Sequence, residues 1–104
     1  MVKHISESDF FKETNLEGVV LVDFFATWCP PCKMLLPILE DISNSRKKYK
    51  IVKINIDENP NIVNRYKIQS VPTLVVFKDG KPVEKSVGYI DKNEVIALMD
   101  KHFE

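Results

Sequence analysis

The sequence predicts an α/β fold in which strands and helices alternate along the chain. Apolar runs at residues 19–26, 51–56 and 73–77 are typical of buried strands, and segments with helical spacing of apolar residues separate them. Asp79-Gly80 is a hairpin turn signal shortly after the last of these runs. Because crossover helices join parallel strands and a tight hairpin joins antiparallel ones, the sheet is predicted to be mixed.

The first two elements are predicted to be short. Residues 2–5 are expected to form a strand, and Ser6 is expected to begin a helix, with Asp9 as its partner in a weak capping box. Phe10 and Phe11 are both expected to face the core from this helix.

The run 19–26 is nearly all apolar, which predicts a strand covered on both faces. A helix is expected to follow it, from Pro30 or Pro31 to Lys47. Pro37 should kink this helix, because proline lacks an amide hydrogen and clashes with the preceding turn. The buried stripe of the helix comprises Leu35, Ile38, Leu39 and Ile42.

The second half of the chain adds three strands and two helices. The strands are predicted at residues 51–56, 73–77 and 83–88. Asn59 is expected to cap a short helix with Pro60 at its first position, and Asp91 with Glu94 to cap the last helix. The inner face of that last helix comprises Val95, Leu98 and Met99, with His102 as a further candidate. The total is five strands and four helices in a single domain, residues 1–104.

The composition excludes several function classes. Fifteen basic and fifteen acidic residues cancel, which argues against a nucleic-acid-binding protein and against a polybasic membrane anchor. The N-terminus lacks the apolar stretch of a signal peptide, and no apolar run is long enough to cross a membrane. We therefore expect a cytoplasmic protein. The sequence has no heptads, and we expect a monomer.

Cys29 and Cys32 lie where the buried strand ends and the next helix begins. The first turn of a helix has unpaired N–H groups and a partial positive charge, which stabilise the thiolate of a cysteine placed there. The spacing of three residues brings Cys32 back beneath Cys29, close enough for a disulfide. The pattern predicts dithiol–disulfide exchange, with Cys29 as the nucleophile and Cys32 as the resolving cysteine.

Two other interpretations fit a lone CxxC pair. The pair could be half of a zinc site, but such a site needs four ligands, and His4 and His102 lie near opposite ends of the chain. The pair could also be two inert core cysteines. The position between a strand and a helix favours the redox interpretation, and we expect no metal site.

Asp23 is an acid in the middle of the apolar run 19–26. Burial raises the pKa of a carboxyl group toward neutrality, and such a group can accept the proton of a resolving thiol. The alternative is a strand-end position at which Asp23 simply reaches water. Lys53, in the next predicted strand, is either a neighbour of Asp23 across the sheet or a solvated strand residue.

Trp28 and Pro72 complete the set of candidate residues. Trp28 precedes the predicted nucleophile and is either part of a substrate surface, which we favour, or a core residue. Pro72 opens a strand, and because most bonds that precede a proline are trans, its residue type alone favours a trans bond.

At Trp28-Cys29-Pro30-Pro31-Cys32-Lys33 the chain resembles thioredoxins, and the similarity extends over nearly the whole chain. Residues 22–27 resemble the strand that leads into the thioredoxin active site, and residues 53–57 resemble the third strand. Residues 71–73 resemble the cis-proline loop, residues 78–80 the hairpin, and residues 87–88 the segment with the substrate-facing glycine.

The resemblance implies the thioredoxin fold, a five-stranded mixed sheet between four helices. It implies that Asp23 is the buried acid behind the cysteines, that Lys53 is its neighbour and modulates it, and that the bond before Pro72 is cis. It also implies an apolar surface where an extended substrate strand pairs with the backbone near Val71. That surface comprises Trp28, Pro31, Val71, Pro72, Thr73, Val87 and Gly88.

Two positions depart from the usual thioredoxin pattern. Pro30 stands where the family has glycine, and because it precedes Pro31, which disfavours helical backbone before it, we expect the helix to start one residue late. Neither proline offers an N–H to the Cys29 thiolate, so we expect a shifted reduction potential. Tyr89 follows Gly88 where thioredoxins often carry a small residue, and it either adds an aromatic contact for partners or narrows the groove.

The expected function is that of a general protein disulfide reductase. No cofactor is expected on the chain, which lacks a GxGxxG or phosphate loop. The resemblance implies recycling by a thioredoxin reductase that uses flavin and NADPH, and implies disulfide-containing proteins as the other partners. The alternatives are a thiol oxidant or disulfide isomerase of the same fold, a binding module that does not use the cysteines, and a metal site shared between two chains.

Overall fold

The structure, a computed structural model, describes residues 1–103 and contains one mixed sheet of five strands. The strands are β1 (Lys3–Ile5), β2 (Val19–Phe25), β3 (Lys50–Asn55), β4 (Thr73–Lys78) and β5 (Lys81–Val87). Their spatial order is β1-β3-β2-β4-β5. Strand β3 runs parallel to β1 and β2, whereas β4 runs antiparallel to β2 and β5, so the predicted mixed sheet is confirmed.

Four helices pack on the two faces of this sheet, as predicted. They are α1 (Phe10–Thr14), α2 (Pro30–Ser45), α3 (Pro60–Arg65) and α4 (Lys92–Asp100). The side chains of β2 alternate between the faces: Val19 and Leu21 lie in the cluster that α2 and α4 cover, and Val20, Val22 and Phe24 in the cluster with α1 and α3. Because β2 is central and covered on both sides, it is nearly all apolar, and Asp23 is its only ionisable residue.

The pairing of the strands determines which loops meet at the end of β2. Strand β2 runs antiparallel to β4, with Phe24 opposite Thr73, so the start of β4 lies beside the end of β2. Strand β5 pairs with β4 so that Val87 lies opposite Thr73. The segment after β2, the loop before β4 and the end of β5 therefore lie together at one edge of the sheet.

The N-terminal helix differs from the prediction. A 3₁₀ turn at Glu7–Asp9 precedes α1, and the Ser6 side chain accepts no capping hydrogen bond from this turn. Phe10 is fully buried, but Phe11 is 48% exposed and lies under the Arg65 guanidinium group. Adjacent residues of a helix point about 100° apart, and in this short helix Phe10 points into the core while Phe11 points toward the surface.

The other helix ends are partly as predicted. Helix α2 ends at Ser45 and contains Pro37, whose nitrogen has no hydrogen for an intrahelical bond. The capping box of Asp91 and Glu94 is present at α4, with Val95 and Met99 fully buried and Leu98 packed at the edge of the core. His102 lies beyond the end of α4 and is half-buried.

Helix α3 is capped from a distant part of the chain. Asn59 occupies the N-cap position, but its side chain makes no capping bond there. Instead, the Glu7 carboxylate accepts hydrogen bonds from the backbone N–H groups of Asn61 and Ile62, at 3.1 and 3.2 Å. The Asn59 side chain accepts from the Glu7 N–H and donates to the Asn55 carbonyl. A negative charge at the start of a helix serves the same purpose as a local cap.

Candidate active site

Cys29 and Cys32 form a disulfide at the point where β2 gives way to α2. Cys29 is the N-cap residue of α2, with extended backbone, and Cys32 lies in the first turn of the helix. The two Cα atoms are 5.3 Å apart, and the Cys32 backbone N–H donates to Cys29 Sγ at 3.2 Å. Both cysteines are buried, in a small cluster with Ala26 that Phe25 and Val71 flank.

The two prolines between the cysteines are part of the helix. Helix α2 begins at Pro30, so the expected start one residue later is wrong. Proline is well tolerated in the first helical turn, because the N–H groups it removes have no partner within the helix. Of the first three residues of α2, only Cys32 has a backbone N–H, and that group points at Cys29 Sγ. A thiolate on Cys29 therefore has this single donor within the first three residues of α2.

Asp23 is 1% exposed, so the strand-end alternative is wrong. Its direct neighbour in the parallel ladder is Lys53. Burial raises the pKa of Asp23 to about 7, although the positive charge of Lys53 acts in the opposite direction. Within residues 1–103, Asp23 Oδ1 has no hydrogen-bond partner. The carboxyl group is therefore able to gain or lose a proton near neutral pH.

A cavity of about 250 Å³ connects Asp23 with the disulfide. Its walls comprise Asp23, Phe25, Ala26, Thr27, Cys32, Lys33, Leu36 and Lys53. Cys32 is part of this lining, whereas Cys29 is not. A volume of this size has room for several water molecules, and Asp23 and Lys53 supply polar partners for them. The two cysteines thus have different surroundings, one beside the buried acid and the other at the loop before β4.

The loop before β4 approaches Cys29 through Val71. The Val71 carbonyl oxygen lies 3.7 Å from Cys29 Sγ, and the bond between Val71 and Pro72 is cis, as the resemblance implies. The Pro72 carbonyl accepts a hydrogen bond of 2.8 Å from the Gly88 N–H, which ties the loop to the end of β5. The Thr73 hydroxyl donates to the Ser70 carbonyl at 2.7 Å and closes the loop on its other side.

The predicted substrate-surface residues lie together but differ in exposure. Trp28 and Val87 are 63% and 60% exposed, Pro31 is also exposed, and Val71 and Gly88 are half-buried. Pro72 and Thr73 are buried and shape the loop through their backbone. Gly88 has a φ of +96°, a conformation that few side chains allow.

Asp57 and Met34 also lie near the cysteines, and the sequence analysis does not predict either of them as a site residue. The Trp28 indole N–H donates to the Asp57 carboxylate at 2.8 Å, which holds the exposed ring in place. Met34 is 61% exposed, one helical turn after Pro31. The spacing of three residues on α2 would have placed Met34 on the same face as Pro31, but nothing in the sequence pairs Trp28 with Asp57.

Comparison with known proteins gives a consistent result over the whole chain. A family model described as thioredoxin matches residues 1–101. Thioredoxins of Staphylococcus epidermidis and Chlamydia trachomatis are 47% identical over 100 residues and 46% identical over 102 residues. These alignments cover 94% of both chains in the first case, and 98% of this chain and 99% of the relative in the second. The chain belongs to the thioredoxin family.

The similarity of structure agrees with this assignment. A mutant thioredoxin from Halobacterium salinarum, whose structure is solved, matches with a TM-score of 0.91 at 35% identity. The match covers 98% of this chain and 90% of that one. The chain therefore has the thioredoxin fold that the resemblance implied.

The members of the thioredoxin family share one enzymatic activity, dithiol–disulfide exchange. Thioredoxins are protein disulfide oxidoreductases that hold no cofactor of their own, and the CxxC disulfide of this chain is the redox-active pair. The family also implies a reductase and disulfide-containing targets as partners. None of the helices within residues 1–103 combines the length and the apolar character needed to span a membrane.

Replacement of Asp23 by asparagine should stabilise the oxidised protein, and the gain should grow with pH. The pKa of Asp23 is about 7 in the folded protein, against an ordinary value of 3.8 that we expect in the unfolded chain. Between these values the unfolded state has lost a proton that the folded state still holds, so the wild-type protein loses stability as pH rises from about 4 to about 7. Asparagine cannot ionise, so Asp23→Asn avoids this loss.

Urea unfolding at about pH 5 and about pH 8 measures the effect. We expect the gain at the higher pH to be on the order of a few kcal/mol and clearly larger than the gain at the lower pH. Glu17→Gln, at an exposed position, is the matched control and should show no trend. A gain from Asp23→Asn that is the same at both pH values would contradict the raised pKa.

Proposed function

We propose that this protein reduces disulfides of target proteins, with Cys29 as the nucleophile and Cys32 as the resolving cysteine. The observation that carries this assignment is the different surroundings of the two sulfurs. Cys29 caps α2, accepts the Cys32 N–H and lies against Val71 of the substrate loop. Cys32 lies in the first turn of the helix and lines the cavity together with Asp23. Attack on an external disulfide suits Cys29, and proton transfer to Asp23 suits Cys32.

The proposed reaction has two exchange steps. The Cys29 thiolate attacks one sulfur of the target disulfide, the other target sulfur leaves as a thiolate, and a mixed disulfide forms. Asp23, through water in the cavity, then accepts the proton of Cys32. The Cys32 thiolate attacks Cys29 Sγ, and the second target sulfur leaves as a thiolate. The target gains two electrons, the cysteine pair loses two, and protons from solvent and from Asp23 neutralise the released thiolates.

The substrate surface in this proposal is the apolar group around the loop before β4, in which Trp28, Pro31 and Val87 are exposed and Val71 and Gly88 are half-buried. Val71 lies closest to Cys29, and its backbone is available to pair with an extended target segment, as in strand addition. Pro72 and Thr73 are buried, so we assign them the shaping of this loop. Tyr89, 44% exposed beside Gly88, would add an aromatic contact at the edge.

The supply of electrons follows from the family. We propose that a flavin-dependent thioredoxin reductase returns the Cys29–Cys32 disulfide to the dithiol with electrons from NADPH, and that the protein acts as a monomer in the cytoplasm. The balanced charge and the CxxC pair, whose function needs a reducing supply, support this assignment.

Replacement of the resolving cysteine should trap the first step. Cys32→Ser should form a mixed disulfide with an oxidised target protein and hold it, whereas Cys29→Ser should form little, because the remaining thiol lines the Asp23 cavity and does not face the loop of Val71. Non-reducing electrophoresis followed by mass spectrometry of the linked peptide identifies the sulfur involved. Linkage through Cys32 in the Cys29→Ser variant at the same rate would contradict the distinct roles of the two cysteines. A cellular function that survives replacement of both cysteines would favour a binding module, because that variant has no thiol with which to reduce a target.

Replacement of Asp23 should slow the second step more than the first. In Asp23→Asn the Cys32 proton has no buried acceptor, so we expect resolution of the mixed disulfide to slow by about 10- to 100-fold near pH 7, with little change in the attack by Cys29. Rapid-quench kinetics with a disulfide peptide separate the two rates. Equal slowing of both steps would show that Asp23 is not the proton acceptor for Cys32.

The reduction potential decides between a reductase and a thiol oxidant. Equilibration of the cysteine pair with a glutathione buffer should give a strongly reducing value, near the roughly −270 mV of a typical thioredoxin; a value near −120 mV would favour the oxidant.

Pro30→Gly restores an N–H in the first turn of α2 and should stabilise the Cys29 thiolate. We therefore expect this variant to be less reducing by roughly 10 to 30 mV. An unchanged potential would mean that the N–H at this position does not reach the sulfur.

A further inference from the structure

Three ionisable residues form a row across the sheet. His4 on β1 pairs directly with Lys53 on β3, and Lys53 pairs directly with Asp23 on β2. Residues that pair directly in a sheet point to the same face. The row lies on the face that α2 and α4 cover, because Val2 and Leu21, two residues before His4 and Asp23, belong to the core cluster of that face.

Phe25 connects the exposed end of this row to the cavity. The His4 ring packs edge-on against the Phe25 ring, with centroids 5.5 Å apart. The Lys53 ammonium group lies 5.7 Å from the centroid of the same ring, within the range of a cation–π contact. Phe25 and Lys53 both line the cavity that joins Asp23 to Cys32. His4 therefore contacts the side chain that helps to hold the Lys53 charge beside Asp23.

We propose that His4 is a positioning residue for the resolving step and that it acts on Asp23 through Phe25 and Lys53. This inference rests on the proposed role of Asp23 as the acceptor of the Cys32 proton. His4 touches neither cysteine in this arrangement and carries out no chemistry of its own.

A positive charge at position 4 would act on Asp23 in two ways. It repels the Lys53 ammonium group from the outer side of the row, and it adds a second cation two strands, about 10 Å, from Asp23. Both effects favour the ionised form of the Asp23 carboxyl group, which is the form that accepts the Cys32 proton.

Other charged groups face the two ends of the row. Asp9 and Glu58 are acidic residues that line a surface pocket together with His4. At the inner end, Lys33 of α2 lines the cavity with Lys53 and Asp23, and Cys32 lies opposite them. A substitution at position 4 changes the charge at that position and leaves these other charged residues in the chain.

The test compares a fixed charge with no charge at position 4. In the oxidised protein, NMR titration of the Asp23 side-chain carboxyl carbon should give a pKa that is lower in His4→Lys than in His4→Gln by about 0.3 to 1. Ser45→Lys is the matched control, because it adds the same charge at an exposed site about 20 Å along α2 from Cys32, and it should leave the titration unchanged. Equal Asp23 titrations in His4→Lys and His4→Gln would overturn the inference.

A second measurement separates this inference from the proposed function. The pH profile of mixed-disulfide resolution should move with the Asp23 titration in the same two variants. A profile that stays fixed while the Asp23 titration moves would leave the coupling between His4 and Asp23 in place. It would refute the role of Asp23 as proton acceptor, and with it the part assigned to His4 in the resolving step. Parallel shifts of titration and rate support both.

Discussion

The position of β2 between β3 and β4 is the constraint on which the site depends. Its parallel partner β3 places Lys53 beside Asp23, and its antiparallel partner β4 places Thr73 beside Phe24. The first pairing puts a cation next to the buried acid. The second brings the loop before β4 to the place where the chain leaves β2 and enters α2. A strand with only one partner could not both bury Asp23 and bring the Val71 carbonyl to Cys29.

Asp23 lies in this strand although it is almost completely buried, with Lys53 as the neighbouring charge. A carboxyl group with a pKa near 7 destabilises the folded protein whenever it is ionised, and Lys53 offsets only part of that cost. The packing of a core in which Leu21, Leu35 and Leu39 are completely buried offsets this destabilisation. Functional groups commonly break a local rule of folding in this way, and the rest of the structure compensates.

Much of the fold and of the site could be predicted from the sequence, because local patterns carry it. The apolar run of β2, the capping box of α4 and the CxxC pair at the start of α2 depend on neighbours within a few residues. Contacts between distant segments could not be predicted. The capping of α3 by Glu7 joins residues more than fifty positions apart, and the cavity between Asp23 and Cys32 exists only once β2 and α2 have packed. Phe11 was misassigned because composition alone does not indicate which of two adjacent phenylalanines faces inward.

The two cysteines are controlled by different parts of the molecule. The first turn of α2 acts on Cys29, and with Pro30 and Pro31 in that turn only the Cys32 N–H is left to it. In the proposed mechanism the sheet acts on Cys32, through the cavity and the row of Asp23, Lys53 and His4. Lys33 of the first turn also lines that cavity, whereas Pro30 and Pro31 do not. In this mechanism a change in the dipeptide between the cysteines alters the Cys29 thiolate that attacks the target, and a change in the sheet alters the transfer of the Cys32 proton. The redox balance of the pair and the rate of its second step can then be adjusted separately.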